Sequence, residues 1–320
     1  MKKQKNSTVT MLAGTPVSDT IYYLAGTLDN LDKDIIFTRM FIYDDQATPS
    51  NQWFHHDLPG WAVISTCQIP KTSTTRPQIC ALSEQGDVEF YSSKGSKIEK
   101  IKGAGLDHTG HSQGYMNSIR YIGDTLYACG YNGQVYKRQQ EKWEQFDLGI
   151  REKNPAQLTA NDTPFDLISI QGLHESDIYI TGNEGFIAHY NGAKWSILPP
   201  VTRACLYGIF IQSESEVWIA GSNGTIVQGN ATDGFQATHR KSLDCDFHSI
   251  TSFKGKIFIG ASDGIYSLHD NKILKVNLPK QVIEVDSIET KNGVLWALSA
   301  KKIIKFDGDI WKIIDHIDNS

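Results

Sequence analysis

The chain has 320 residues, 40% apolar and 21% charged, a composition that excludes intrinsic disorder. Thirty-six acidic against 31 basic residues leave a net charge of −5, which argues against a nucleic-acid partner, because displacing phosphate counterions takes a positive surplus. Val, Ile, Thr, Tyr, Phe and Trp recur in short runs between Gly, Asn, Asp and Ser, the punctuation of an all-β chain.

The chain opens on Met1-Lys2-Lys3-Gln4-Lys5, followed by Asn6 to Gly14, too short and polar for the apolar core of a signal peptide. A first four-strand unit is predicted from Val9–Leu12, Ile21–Leu24, Ile35–Tyr43 and Trp53–His55. A second uses Trp61–Ile64, Ile79–Leu82, Val88–Tyr91 and a basic stretch from Lys94 to Lys102. That stretch reads as a turn and an exposed outer strand, where lysines discourage edge pairing. The third unit has Asn117–Ile119, Leu126–Gly130, Asn132-Gly133 and Lys142-Trp143. The fourth is the most complete: Phe165–Ile170, Asp177–Gly182, Gly185–Tyr190 and Lys194–Leu198.

The same order returns in Leu206–Ile209, Val217–Gly221 and Thr225–Val227, then in Phe247–Ile250, Ile257–Gly260 and Ile265–Leu268. It returns a last time in Asp286–Ile288, Leu295–Leu298, Asp307-Gly308 and Trp311. Asn-Gly and Asp-Gly pairs supply the positive φ of tight hairpins. Taking Ile119, Ile168, Ile209, Ile250 and Ile288 as equivalent gives intervals of roughly 40–50 residues, the blade period of a propeller. The expected fold is a seven-bladed β-propeller with four-stranded antiparallel blades, one domain over residues 1–320. Radial stacking buries both faces of every sheet. Gly130, Gly182, Gly221 and Gly260 are read as sharp turns ending second strands, and Trp143, Trp195 and Trp311 as packing residues of outer strands.

The segment Ile178 to Trp195, with its glycines and terminal tryptophan, resembles the repeats of the sialidase-like propeller superfamily. Among these it is most similar to bacterial repeat propellers akin to photosystem II assembly factors. The resemblance covers roughly residues 116–314 and implies a fold more than an activity. Sialidase chemistry is not implied, because the Asp-box spacing is missing around Ser222-Asn223-Gly224-Thr225 and only Arg203 and Arg240 are expected at one end.

No stretch approaches the ~20 apolar residues of a membrane-spanning helix. Cys67, Cys80, Cys129, Cys205 and Cys245 form no Cys-x-x-Cys pair, so they read as reduced thiols of a cytoplasmic protein. Asp29 to Asp34 offers three carboxylates but neither the glycine nor the distal glutamate of a calcium loop. Asp107-His108-Thr109-Gly110-His111 lacks a third ligand, so no metal and no cofactor is expected.

Function in a repeat fold is expected where the repeat is broken. Two inter-blade loops are long, Gly103 to Tyr115 and Gly149 to Pro164, and long insertions in a compact domain are often functional. The first strands begin with Trp61, Asn117, Asp166, Tyr207, His248 and Asp286, read as one ring of dissimilar side chains at the channel mouth. The primary expectation is a non-catalytic protein that holds a protein partner on this end face. Its candidates are Trp61, His108, His111, Tyr115, Tyr131, Asp166, Arg203, Tyr207, His248 and Asp286. One form of this is a bacterial immunity protein capping a toxin domain. An acidic chain suits a basic partner, such as a nuclease toxin, through electrostatic steering. The alternative is a hydrolase acting on a sugar or lactone at the channel mouth with Asp166, His248 and Asp286.

Overall fold

The computed structural model describes residues 7–71, 76–106, 113–151, 165–239, 243–269, 272–280 and 282–319. Four consecutive strands form each of seven antiparallel sheets, with no α-helix among the described residues. The first strands are Val9–Pro16, Val63–Ile69, Met116–Ile122, Leu167–His174, Leu206–Ser213, Phe247–Phe253 and Val285–Lys291. Each packs on the next, and the last packs on the first. The protein is a seven-bladed propeller, as expected from the repeat, and the N-terminal blade is complete.

Alternation explains why the blades stack. The fourth blade's second strand, Asp177–Gly182, is buried throughout because both its faces meet neighbouring blades, whereas outer strands such as Gly95–Lys100 are largely exposed. Buried apolar clusters lie between sheets: Tyr127, Cys129 and Val135 of one blade meet Ile170, Ile178 and Ile180 of the next.

Outermost-strand tryptophans occur at one register in four blades. Trp53 opposes Tyr43, Trp143 opposes Arg138, Trp195 opposes Tyr190 and Trp311 opposes Phe306. Trp195 is the most enclosed, 4% exposed, with its Nε1–H donating to Phe146 O at 2.7 Å. Phe146 meets it edge-on, with ring centroids 5.9 Å apart.

Of the four glycines read as sharp turns, Gly130, Gly182 and Gly221 end second strands while Gly260 stands one residue before the terminal Ala261, and their purpose differs from the expected one. Gly130 and Gly182 are extended, with φ of −167° and −159°. A Cβ there would lie 2.3 Å from Tyr115 O or 2.4 Å from Asp166 O. Close approach of the chain entering the blade excludes a side chain, so the requirement is space and not a turn.

Among the described residues no strand is exchanged between blades 1 and 7, and backbone and side-chain hydrogen bonds together with ion pairs close the ring. Met11 N–H donates to Ala300 O (2.8 Å). Asn319 pairs with the Val9 backbone in both directions (2.8 and 3.0 Å). Trp296 Nε1–H reaches Ser18 O at 3.1 Å, and Lys305 and Lys312 both bind the Asp45 carboxylate. Burial opposes ionisation of Asp45, but hydrogen bonds from the two lysines and Tyr43 outweigh it and hold the carboxyl at about 2.

Two outcomes are expected. Trp195→Ala costs about 3–5 kcal/mol, the transfer term plus the cavity, while Glu214→Ala, whose side chain is 79% exposed, stays within about 0.5 kcal/mol; urea midpoints in the reverse order would contradict this packing. Because the folded carboxyl titrates below its ordinary value, the Asp45 contribution is complete above that value and is lost as pH falls toward about 2. Asp45→Asn therefore lowers the urea midpoint at pH 7, and its difference from wild type closes on acidification to that range.

Candidate functional site

Each blade carries a one-residue irregularity near the start of its first strand, where the pairing register slips. A bulge leaves one residue unpaired and re-aims its side chain. The residues passed over are Leu12, Ile64, Asn117, Ile168, Tyr207, His248 and Asp286. All seven line the central cavity, of about 510 Å³. Directly after the bulge comes Ala13, Ser65, Ser118, Ser169, Gly208, Ser249 or Ser287, a ring of small residues. At Gly208 a Cβ would come within 2.8 Å of Ser249 Cα on the next inner strand. Crowding around the axis thus forces the side chain at this layer to be small.

This ring corrects the sequence-based one. Asn117, Tyr207, His248 and Asp286 belong to it. Trp61 and Asp166 do not; each stands ahead of the true member, Ile64 or Ile168. The cause is the bulge, which inserts a residue and shifts the alternation. For the same reason Ile168 does not match Ile119. Pairing opposite the second strands aligns Ile119 with Ile170, Ile209, Ile250 and Ile288.

Trp61 packs, half-buried, against the cluster between blades 1 and 2, and its carbonyl accepts from Thr38 Oγ1 (2.8 Å). Asp166 is a turn anchor: its carboxylate accepts from Asn132 N–H (3.2 Å) and its own N–H donates to Asn183 Oδ1 (3.1 Å). Asn132 needs that anchor, having φ of +56° in a tight turn that continues through Gly133 at +73°. Asp246 repeats the device on Asn223 N–H at 2.8 Å. The three residues of the hydrolase reading are therefore not assembled. His248 and Asp286 are neighbours, with Nδ1 to Oδ1 3.6 Å, and Asp166 serves a turn.

The mouth is chemically two-sided. Blades 1, 2 and 4 contribute Leu12, Ile64 and Ile168. Asn117, in blade 3, is tied by Nδ2–H to Leu167 O (2.7 Å). Blades 5 to 7 contribute Tyr207, His248 and Asp286, the Tyr207 and His248 rings meeting edge-on at 5.9 Å. Burial, and then the neighbouring Glu284 carboxylate, hold the Asp286 carboxyl above its ordinary value, while His248 works the other way. Deeper in the channel, Arg120 faces Glu289 at 3.9 Å. The guanidinium donates to Ser65 Oγ, Thr66 O and Ile119 O, and Glu289 accepts from Thr15 Oγ1 at 3.0 Å.

The end face around this mouth carries the other candidates. Tyr115 and Tyr131 meet edge-on at 6.0 Å, with Tyr131 40% exposed. Leu106 and Phe165 are exposed beside the two long loops, and Arg203 is exposed on the loop before blade 5. His108 and His111 lie outside the described residues, as does most of 149–164.

Three anchoring residues were missed by sequence reasoning. Gln113 Oε1 accepts from Arg151 (2.8 Å) and from Tyr136 OH (3.1 Å), joining the stems of both long loops. Gln134 is buried and its Nε2 donates to Gln113 O, Gly114 O and Tyr131 O. Its only signal is a glutamine in a slot that other blades fill with Phe186 or Thr225. Among the described residues, no group of three or more His, Cys, Asp or Glu side chains is placed to hold a metal, and no helix is long and apolar enough to cross a membrane.

No family model matches the chain. It is 26% identical over 317 residues to the immune protein Tsi7 of Pseudomonas aeruginosa, covering 98% of this chain and 100% of that protein. Similar solved structures are propellers. Virginiamycin B lyase from Staphylococcus aureus superposes with a TM-score of 0.68 at 11% identity, over 98% of this chain and 97% of that one. The WD40 propeller domain of Doa1 gives 0.63 at 10%, over 94% and 95%. At such identities these two speak for the fold alone; they bear out a propeller and do not extend the sialidase-like resemblance.

Asp166→Ala is expected to cost about 0.5–1.5 kcal/mol, through the lost turn hydrogen bond. Binding of a partner to the folded variant should stay unchanged. An Asp166→Ala variant with wild-type stability and impaired binding would return this residue to the site.

Proposed function

We propose that the protein is a non-catalytic immunity protein that binds a toxin domain on the end face carrying the bulge residues and the two long loops. The observation that carries this reading is the near end-to-end similarity to a protein named as an immune protein, on a fold whose departures from its own repeat gather at one end. Aromatic and arginine side chains dominate interface energetics, and Tyr115, Tyr131, Tyr207 and Arg203 are that chemistry at that end. Exposed acids on the same rim, Asp244, Glu184 and Glu284, suit a toxin with a basic surface and favour fast encounter. Cytoplasmic action is part of this reading, since all five cysteines are free thiols.

The test is calorimetry or surface plasmon resonance with the toxin domain that a pull-down with the full chain recovers. Tyr131→Ala or Arg203→Ala should weaken binding by about 2 kcal/mol where the residue is a hot spot, without loss of fold. Reversing Asp244 or Glu184 to lysine should slow association and flatten its salt dependence, leaving dissociation nearly unchanged. Lys97→Ala, on an outer strand, should do nothing. Undiminished binding to a variant altered at Tyr115, Tyr131, Arg203 and Tyr207 together would move the interface away from this face.

A further inference from the structure

The polar arc of the mouth holds a carboxylate to which no cation is committed among the described residues. Asp286 has Glu284 two residues before it on the same strand entry, and its nearest positive candidate, His248 Nδ1, stands at 3.6 Å, too far for a hydrogen bond. That Nδ1 is itself buried and has no hydrogen-bond partner among the described residues. Arg120 is engaged deeper down, by three oxygens of blades 2 and 3. Opposite this arc the wall carries the aliphatic Ile64 and Ile168 on either side of Asn117, whose Nδ2–H is already given to Leu167 O. An occupant that satisfies both sides must be apolar along its stem and cationic at its head, and the cavity of about 510 Å³ has room for a long side chain.

We infer that the channel mouth is a socket for a lysine or arginine side chain projecting from the bound protein, its alkyl stem against Ile64 and Ile168 and its head on Asp286. The inference rests on the end-face reading for who presents the side chain, but not for the socket's chemistry. Long basic side chains bury their methylenes along apolar surface while the charge seeks a polar partner. A carboxylate already partly withdrawn from water has less to shed when it binds such a head. The raised titration of Asp286 agrees with this: the ionised group is held at a cost in the free protein, which a cation removes.

The probe is N-acetyl-L-arginine amide, with N-acetyl-L-citrulline amide as its uncharged counterpart, titrated against the full chain while the His248 ring resonances are followed by NMR. They are assigned by their absence in His248→Gln. The arginine compound should shift them saturably, citrulline should do so at least about tenfold more weakly, and Asp286→Asn should abolish the preference. At pH 8 the free Asp286→Asn protein should also have a higher urea midpoint than wild type. A group whose folded carboxyl titrates high loses stability as pH rises through that value, and amidation removes the charge responsible. No saturable shift, an equal response to citrulline, or a preference that survives Asp286→Asn overturns the socket. The end-face reading is judged separately, by the toxin affinity of Tyr131→Ala and Arg203→Ala; if those weaken binding while the amide titration fails, the face stands and the socket falls.

Discussion

Seven strands crowd around one axis, and the rest of the molecule follows from how they fit. The layer after the bulge admits only Ala, Ser or Gly, because the next inner strand stands where a larger side chain would go; Ser249 Cα would be 2.8 Å from a Cβ on Gly208. The bulge immediately before it is the same constraint seen from the backbone. It lets each strand turn into the crowded axis while one residue per blade is put out into the channel. That residue is released from packing, so its chemistry is free to differ from blade to blade. The position directly after it is held to Ala, Ser or Gly, and the one after that is aliphatic in five blades, Ile119, Ile170, Ile209, Ile250 and Ile288. The site is therefore a by-product of the packing solution, repeated seven times and differentiated by side chain.

Serine at the small layer also ties blades together. Ser65 Oγ accepts from Ile119 N–H and from Arg120, both in the next blade, and Tyr22 OH lies 3.3 Å from Ser287 Oγ across the closure between blades 1 and 7. Farther out, Arg138 grips Glu99 of the preceding blade through two hydrogen bonds, 2.8 and 2.9 Å. His56 reaches the buried Glu89 at 2.9 Å. Such partly buried pairs do more for register than for net stability. They matter here because, among the described residues, nothing covalent or strand-exchanged closes the ring.

The fold was legible because its determinants are local. Alternating β-branched and aromatic residues, paired turn residues and a repeat of roughly 40–50 residues each act within one blade, and they agreed from blade 3 onward, the first two copies being the weaker ones. The outer-strand tryptophans were legible on the same ground. The mouth was only partly so. Asn117, Tyr207, His248 and Asp286 could be aligned by the pattern after them, but a bulge leaves no residue type of its own. In Leu167-Ile168-Ser169-Ile170 the wrong isoleucine therefore satisfied the period. Trp61 and Asp166, which stand three and two residues ahead of Ile64 and Ile168, entered the ring because neither the start of the inner strand nor its bulge is marked by a residue type. Gln113, Gln134 and Arg151 escaped because their role depends on two loops meeting, a non-local fact that no spacing encodes.

The division of the mouth has a further consequence for how such a protein can diverge. Leu12, Ile64 and Ile168 sit on blades whose neighbouring inner strands are as well formed as those bearing Tyr207, His248 and Asp286, so neither arc is demanded by the fold. A residue that the scaffold leaves unconstrained, yet holds half-buried and charged as at Asp286, stores a small electrostatic cost in the free protein. Stability alone favours an amide or an aliphatic there, the types that blades 2, 3 and 4 carry as Ile64, Asn117 and Ile168. It stands at the one ring position beside Glu284, where burial and a second carboxylate both oppose ionisation, and that cost is what the proposed cationic occupant would relieve. The same scaffold with other side chains at its bulges would present a different mouth at no cost to the ring, so specificity for a partner can change one blade at a time.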